Sequence, residues 1–288
     1  MEIKNKQTFG QKLKAYTKRP GSGVLAVLVM LSTIITFVVM AFLVVFIMVK
    51  GLPYITPELF SLTYNSENAS LMPALVNTLS MTGISLLIAV PTGVFAAIFL
   101  VEYAKRGSKL VGLIRITAET LSGIPSIVYG LFGLLFFATT LKWGYSMLSG
   151  SFTLVIMILP LIMRTTEEAL KSVPDSYREA SFGLGAGKLR TVFRIVLPSA
   201  IPGILAGIIL ATGRIVGETA ALIYTAGTVA QIPKNLMGSG RTLAVHMYVL
   251  SSEGLHMNQA YATAVVLLLI VLGINWLSGF IAKRIAKG

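Results

Sequence analysis

Six long apolar runs constrain this chain more than any other feature. They occupy 24–49, 73–101, 112–141, 147–170, 195–223 and 260–282. Each reaches the about 20 residues that a helix needs to cross the ~30 Å hydrocarbon layer of a bilayer. No water satisfies the main chain inside hydrocarbon, so such runs must be helical. Composition agrees: 12% of the 288 residues are charged and 55% are hydrophobic, against about 25% charged in a soluble domain. The expectation is an all-α, polytopic membrane protein with six transmembrane helices. The first run is 26 residues long, well beyond the apolar core of a cleaved signal, and is expected to stay as span one.

Basic residues in the connecting segments set the orientation. Lys4, Lys6, Lys12, Lys14, Lys18 and Arg19 precede span one, whereas the 50–72 segment has only Lys50. Lys105, Arg106 and Lys109 follow span two, and Lys142 alone follows span three. Lys171, Arg178, Lys188, Arg190 and Arg194 follow span four. The long 224–259 segment carries only Lys234 and Arg241, and the tail carries Lys283, Arg284 and Lys287. Rich and poor segments alternate, which predicts both termini and the 171–194 loop in the cytoplasm. The arm over 1–23 either lies on anionic headgroups as a basic amphipathic segment or stays disordered. The net charge of +13 therefore flanks membrane spans, and nucleic acid is not an expected partner.

Several chemistries are absent. The chain has no cysteine, and His246 and His256 stand ten apart without metal-ligand spacing. Both are expected as interfacial loop residues. No metal site and no catalytic constellation is expected, so the chain does not read as an enzyme. Breakers interrupt the apolar runs: Pro91, Gly123 with Pro125, Pro160, and the pairs Gly203/Gly207 and Gly213/Gly217. A plain bundle could hold each one, but together they suggest helices lining a cavity, where broken backbone is tolerated. The glycine pairs permit close helix approach.

Five charged residues fall inside apolar runs: Arg115, Glu119, Arg164, Arg214 and Glu218. A charge at a helix centre costs about 2.5–3.5 kcal/mol on insertion scales, so each requires a partner or water. Arg115 and Glu119 lie near the start of span three, where snorkelling to the headgroups explains them. Arg214 lies about twenty residues into span five, roughly 29 Å along a helix at ~1.5 Å per residue. Glu218, four residues on, is expected on the same helical face within reach of Arg214. An arginine fork suits a tetrahedral oxyanion. A carboxylate acceptor would favour hydrogen phosphate over sulfate, which has no proton to donate. The alternative is an internal salt bridge without a ligand.

The 175–198 stretch is charged and helix-like, yet lies between two spans. Ser172 is expected to cap a helix with Pro174 in its first turn, running to about Gly183. A second helix is expected from Lys188 to Pro198, with a glycine corner between the two. Such a pair is either a rigid protrusion that fits a partner's groove or an amphipathic hairpin flat on the bilayer. Its glycines do not form a nucleotide-binding loop, because Phe182 and Leu189 stand where that motif needs Gly and Ser or Thr.

Glu179-Ala180-Ser181, then Gly185, then Ile195-Val196-Leu197-Pro198, resembles the E-A-A-x3-G-x9-I-x-L-P signature of binding-protein-dependent ABC importer permeases. Only Ser181 departs from it. Within that family the runs at 121–128, 164–170 and 214–220 look like the phosphate permeases. The resemblance covers most of 73–282 and implies a type I, MetI-like permease fold in a cell inner membrane. It implies a cytoplasmic ATPase dimer gripping the 171–194 loop through Asp175, Arg178, Glu179, Ala180, Ser181 and Gly185. It further implies a sister permease and a periplasmic phosphate-binding protein, with ATP and magnesium on the ATPase and no cofactor in this chain. Arg164, Arg214 and Glu218 become the residues of phosphate passage. Sulfate or molybdate remains the alternative cargo.

Overall fold

The computed structural model describes residues 20–105 and 107–285, and all regular structure among them is helical. Most of the basic arm (1–19), Arg106 and Lys287 lie outside the described residues. Contacts divide the chain into two units, one ending at Lys50 and the other beginning at Gly51.

The first unit is built on α1 (Pro20–Gly51). Its polar side chains close on their own helix: Thr33 donates to the Val29 carbonyl and Thr36 to that of Ser32, both at 2.8 Å. Hydroxyls satisfied in this way can sit in hydrocarbon.

In the second unit, α2 (Met72–Ile98) runs on through a π-helical turn to Tyr103. Next come α3 (Lys109–Ser122) and α4 (Ser126–Gly133), the latter extended by a π-helical stretch to Thr140. These two are bent by 102° at the Gly123–Pro125 break, where proline withholds a donor and disfavours helix in the residue before it. Span three is thus two helices rather than one rod. Together they still traverse the bundle. They start beside the end of α2, and the chain after them pairs Ser146 with Thr225 and Met147 with Gly238 at the opposite end.

The long α5 (Met147–Lys171) is the centre of the packing. Ser146 caps it by accepting from the Ser149 N–H at 3.1 Å. Antiparallel to it lies α8 (Leu197–Val216). A Cβ on Gly203 would stand 2.7 Å from that of Ala169, and one on Gly207 would overlap Thr165. So Gly203 and Gly207 do bring two helices together. The second glycine pair does not: Gly213 has open space, and Gly217 ends α8.

Beyond α8 come a short helix α9 (Ala220–Ile223), α10 (Leu243–Glu253) and finally α11 (Met257–Ile285). One apolar cluster, including Met81, Leu154, Ile158, Ala211 and Leu222, joins α2, α5, α8 and α9. A second, including Ala97, Leu170, Val192, Val196 and Ala200, holds the start of α8 against α2 and α5.

His246 departs from its expected loop position. It lies within α10 and is fully buried, edge-on to the Tyr64 ring at 6.1 Å. Arg241, also buried, lies over the Tyr64 ring, 4.7 Å from its centre. Burial first, then the Arg241 charge, pushes the imidazole down to about 3, partly opposed by the Ala69 main chain. His256 occupies a half-buried turn before α11.

Candidate functional site: a coupling corner and a mid-depth arginine

Between α5 and α8 the chain forms α6 (Asp175–Gly183) and α7 (Lys188–Thr191). Pro174, not Ser172, precedes α6 at the N-cap. Ser172 instead closes α5, its hydroxyl donating to the Ala169 carbonyl at 2.7 Å. After α6 the Gly185 N–H bonds to the Phe182 carbonyl and the Ala186 N–H to the Ser181 carbonyl, at 2.9 and 3.1 Å. This double closure requires a left-handed residue at its centre, and Gly185 has φ +81°. The second helix does not end at Pro198. A π-helical turn, Val192–Val196, carries α7 directly into α8, so the corner and span five are one continuous element.

The expected coupling residues divide by role. Ser181 is buried, and its hydroxyl lies 2.8 Å from that of Thr191, tying α6 to α7. Arg178 is spent inside the chain: it donates to Glu102 at 3.1 and 2.8 Å, to Asp175 at 3.2 Å, and to the Val173 and Leu170 carbonyls at 2.8 and 3.0 Å. It clamps the corner to the ends of α2 and α5. Asp175, Glu179, Ala180 and Gly185 are exposed. Beside them, four large apolar side chains face outward, Tyr177, Phe182, Leu184 and Leu189, with Leu184 88% exposed. Reading charge alone missed these four, although apolar residues within a polar loop were the available signal.

The charges within the spans are also sorted. Arg115 does not snorkel unpaired; its Nε lies 2.7 Å from Glu167 Oε1, which Lys171 shares at 2.6 Å. Glu167 is buried and joins α3 to α5. Arg164 pairs with Glu168 at 3.2 Å and approaches Glu119 at 3.9 Å, with all three side chains more than half exposed. Contacts of that kind are worth little.

Arg214 and Glu218 do not pair. Because α8 ends at Val216, the four-residue spacing no longer puts them on one face. Glu218 is buried and accepts from the Ala221 N–H at 3.0 Å, holding the first turn of α9. Arg214 has no carboxylate partner among the described residues. It lines a cleft of about 470 Å3 with Leu161, Ile209, Leu210, Gly213, Val271 and Asn275. Asn275, a lone amide in an apolar run, was the signal for the α11 side of this cleft.

Depth follows from the helix contacts. Gly203 lies level with Ala169 near the end of α5, and Arg214 is eleven residues further, about 16 Å at 1.5 Å per residue. That is mid-depth along α5, not the far side that the apolar run suggested, because the start of the α7–α8 element extends past the end of α5. Arg164, near the level of Gly207, lies about 10 Å lower along the axis. The two arginines flank the same helix pair at different depths and line separate clefts.

Residues 89–287 match the family described as binding-protein-dependent transport system inner membrane component. A probable ABC transporter permease protein of Bacillus subtilis, YqgI, is 38% identical over 73% of this chain and 78% of its own length. The phosphate transport system permease protein PstA of Haemophilus influenzae is 30% identical over 92% of this chain and 95% of its own. A solved bacterial alginate ABC transporter contains a chain of the same fold, with a TM-score of 0.69 at 16% identity, covering 94% of this chain and 98% of that one. With the match extending from within α2 past α11 and taking in the whole α6–α7 corner, the chain belongs to the inner-membrane components of binding-protein-dependent transport systems, and is a permease subunit of that kind.

Proposed function

We propose that this chain is the permease subunit of an ATP-driven importer of inorganic phosphate and works by alternating access. The observation that carries this reading is Arg214: a guanidinium with no carboxylate partner among the described residues, at mid-depth, in a cleft large enough for a small anion. An intramembrane cation with no carboxylate partner among the described residues calls for an anion. The phosphate transport permease of Haemophilus influenzae, similar over 92% of the chain, supports phosphate as that anion.

In this reading Arg214 makes the first contact with the anion and Asn275 adds an amide. Arg164 lies on the same route, about 10 Å nearer the corner, and exchanges its exposed pairing with Glu168 for the anion. Glu218 has one oxygen engaged by Ala221; the other accepts a hydrogen bond from the O–H of hydrogen phosphate, which sulfate lacks.

The corner provides the drive. Placed in the cytoplasm with both termini, as the basic segments indicate, its exposed Leu184, Leu189, Phe182 and Tyr177 fit a groove on an ATPase dimer. That ATPase holds ATP and magnesium, and this chain makes no covalent bond. Closure of the dimer moves α7, and with it α8, because they are continuous. The glycine contacts carry α5 along, and the Arg214 cleft changes the face it opens to. A sister permease completes the passage and a periplasmic phosphate-binding protein delivers the cargo.

Uptake of labelled phosphate into cells that depend on this chain tests the assignment. Unlabelled phosphate should compete, while a tenfold excess of sulfate or molybdate should not. Equal competition by sulfate or molybdate would assign the chain to that oxyanion instead.

A further inference from the structure

A basic cavity of about 930 Å3 opens at the corner end of the bundle, separate from the Arg214 cleft. Its walls are the end of α2 with the connection that follows, the start of α3, the end of α5, and the α6–α7 pair. Six cationic side chains line it, Lys105, Lys109, Arg115, Lys171, Arg178 and Lys188, against two carboxylates, Glu102 and Asp175.

Ion pairing divides the six. Arg178 takes up both Glu102 and Asp175, and Arg115 and Lys171 share Glu167. Lys105, Lys109 and Lys188 have no carboxylate within ion-pair distance among the described residues. Lys188 is nevertheless held to one wall, its ammonium 5.1 Å above the Tyr103 ring centre, a contact that fixes its position.

Positive charge at a membrane boundary is ordinary, and scattered lysines would imply nothing more. These three converge from three places, the connection after α2 (Lys105), the start of α3 (Lys109) and the start of α7 (Lys188), on one concave volume. Its size is that of cavities that take small organic ligands. We propose that the cavity binds a phosphate-bearing anion through Lys105, Lys109 and Lys188, either an anionic phospholipid headgroup or a soluble phosphate ester. The two share their chemistry: several acceptor oxygens on one phosphate meeting ammonium donors from different walls. A bare inorganic ion would reach few of these walls, whereas an ester or headgroup is larger and occupies more of the volume. Bound there, the ligand ties the connection after α2 to α7 and stiffens the corner. The proposal is independent of the cargo that crosses, so it stands or falls separately from phosphate import.

The test uses the full-length chain with its co-purifying subunits. One arm places it in phosphatidylcholine nanodiscs and follows the unfolding temperature during titration with glycerol 1-phosphate. The other measures phosphatidylglycerol retained from native membranes by native mass spectrometry. Both arms compare wild type with the triple variant K105Q/K109Q/K188Q, with the single variant Lys109→Gln, and with Lys234→Gln as a lysine control. Saturable stabilisation by glycerol 1-phosphate, weakened at least tenfold in the triple variant and several-fold in Lys109→Gln, identifies a soluble ester. Retained phosphatidylglycerol that is lost in the triple variant, without a response to the ester, identifies a headgroup. Identical behaviour of wild type and the lysine variants in both arms, or the same loss in Lys234→Gln, overturns the proposal.

Discussion

Arg214 and His246 show how differently two polar side chains can be housed in one bundle. Arg214 faces a cleft. His246 is packed away fully buried beside Tyr64 and Arg241, and is held neutral with its pKa at about 3. In the unfolded chain a histidine takes up a proton near 6.5. Between those values the unfolded state binds the proton and the native state does not, so native stability falls as pH drops from about 6.5 toward 3. The loss approaches about 1.4 kcal/mol per pH unit below 6. Unfolding temperatures in detergent should therefore fall less steeply on acidification in His246→Phe than in wild type, and identical slopes would contradict this assignment. Neither environment was fully legible in the sequence. His246 stands in a segment with few long apolar runs, so periodicity gave no reason to bury it. The spacing of Arg214 and Glu218 suggested a pair, and only the end of α8 at Val216 shows why they part.

Among the elements, the corner was the most legible. The residues from Glu179 to Pro198 marked it as a family signature, and Gly185 was the residue its turn required. Its positive φ explains why. Open space surrounds the missing Cβ, so a substitution there is opposed by backbone conformation alone. Gly185→Val should cost about 1–2 kcal/mol locally, and Gly185→Asn less, since asparagine tolerates this conformation better. The expected readout is ATPase co-purification, reduced for the valine variant and close to wild type for asparagine; equal recovery of both would remove the corner's geometry from the account. The continuity of α7 with α8 was not legible. Pro198 looked like a terminator, but the π-helical turn before it lets the chain continue. Arg178 likewise read as a surface contact, because its chief partner, Glu102, lies far away in sequence on the extension of α2.

At the scale of the whole molecule, hydrophobic run length identified every span. It could not show that span three bends by 102°, although the glycine and proline at the break marked where. Run length also placed Arg214 too far along, since it took the whole of span five to lie within the bilayer. Once α5 and α8 are aligned through their glycine contacts, Arg214 falls at mid-depth, on the helix that continues directly from the corner. In the proposed mechanism a pull on the corner would thereby reach the cleft that Arg214 lines. Uptake of labelled phosphate by Arg214→Gln is the most direct measurement of this arrangement. Uptake should be abolished while the variant still reaches the membrane and co-purifies with the ATPase at wild-type level. Normal uptake by Arg214→Gln would contradict it.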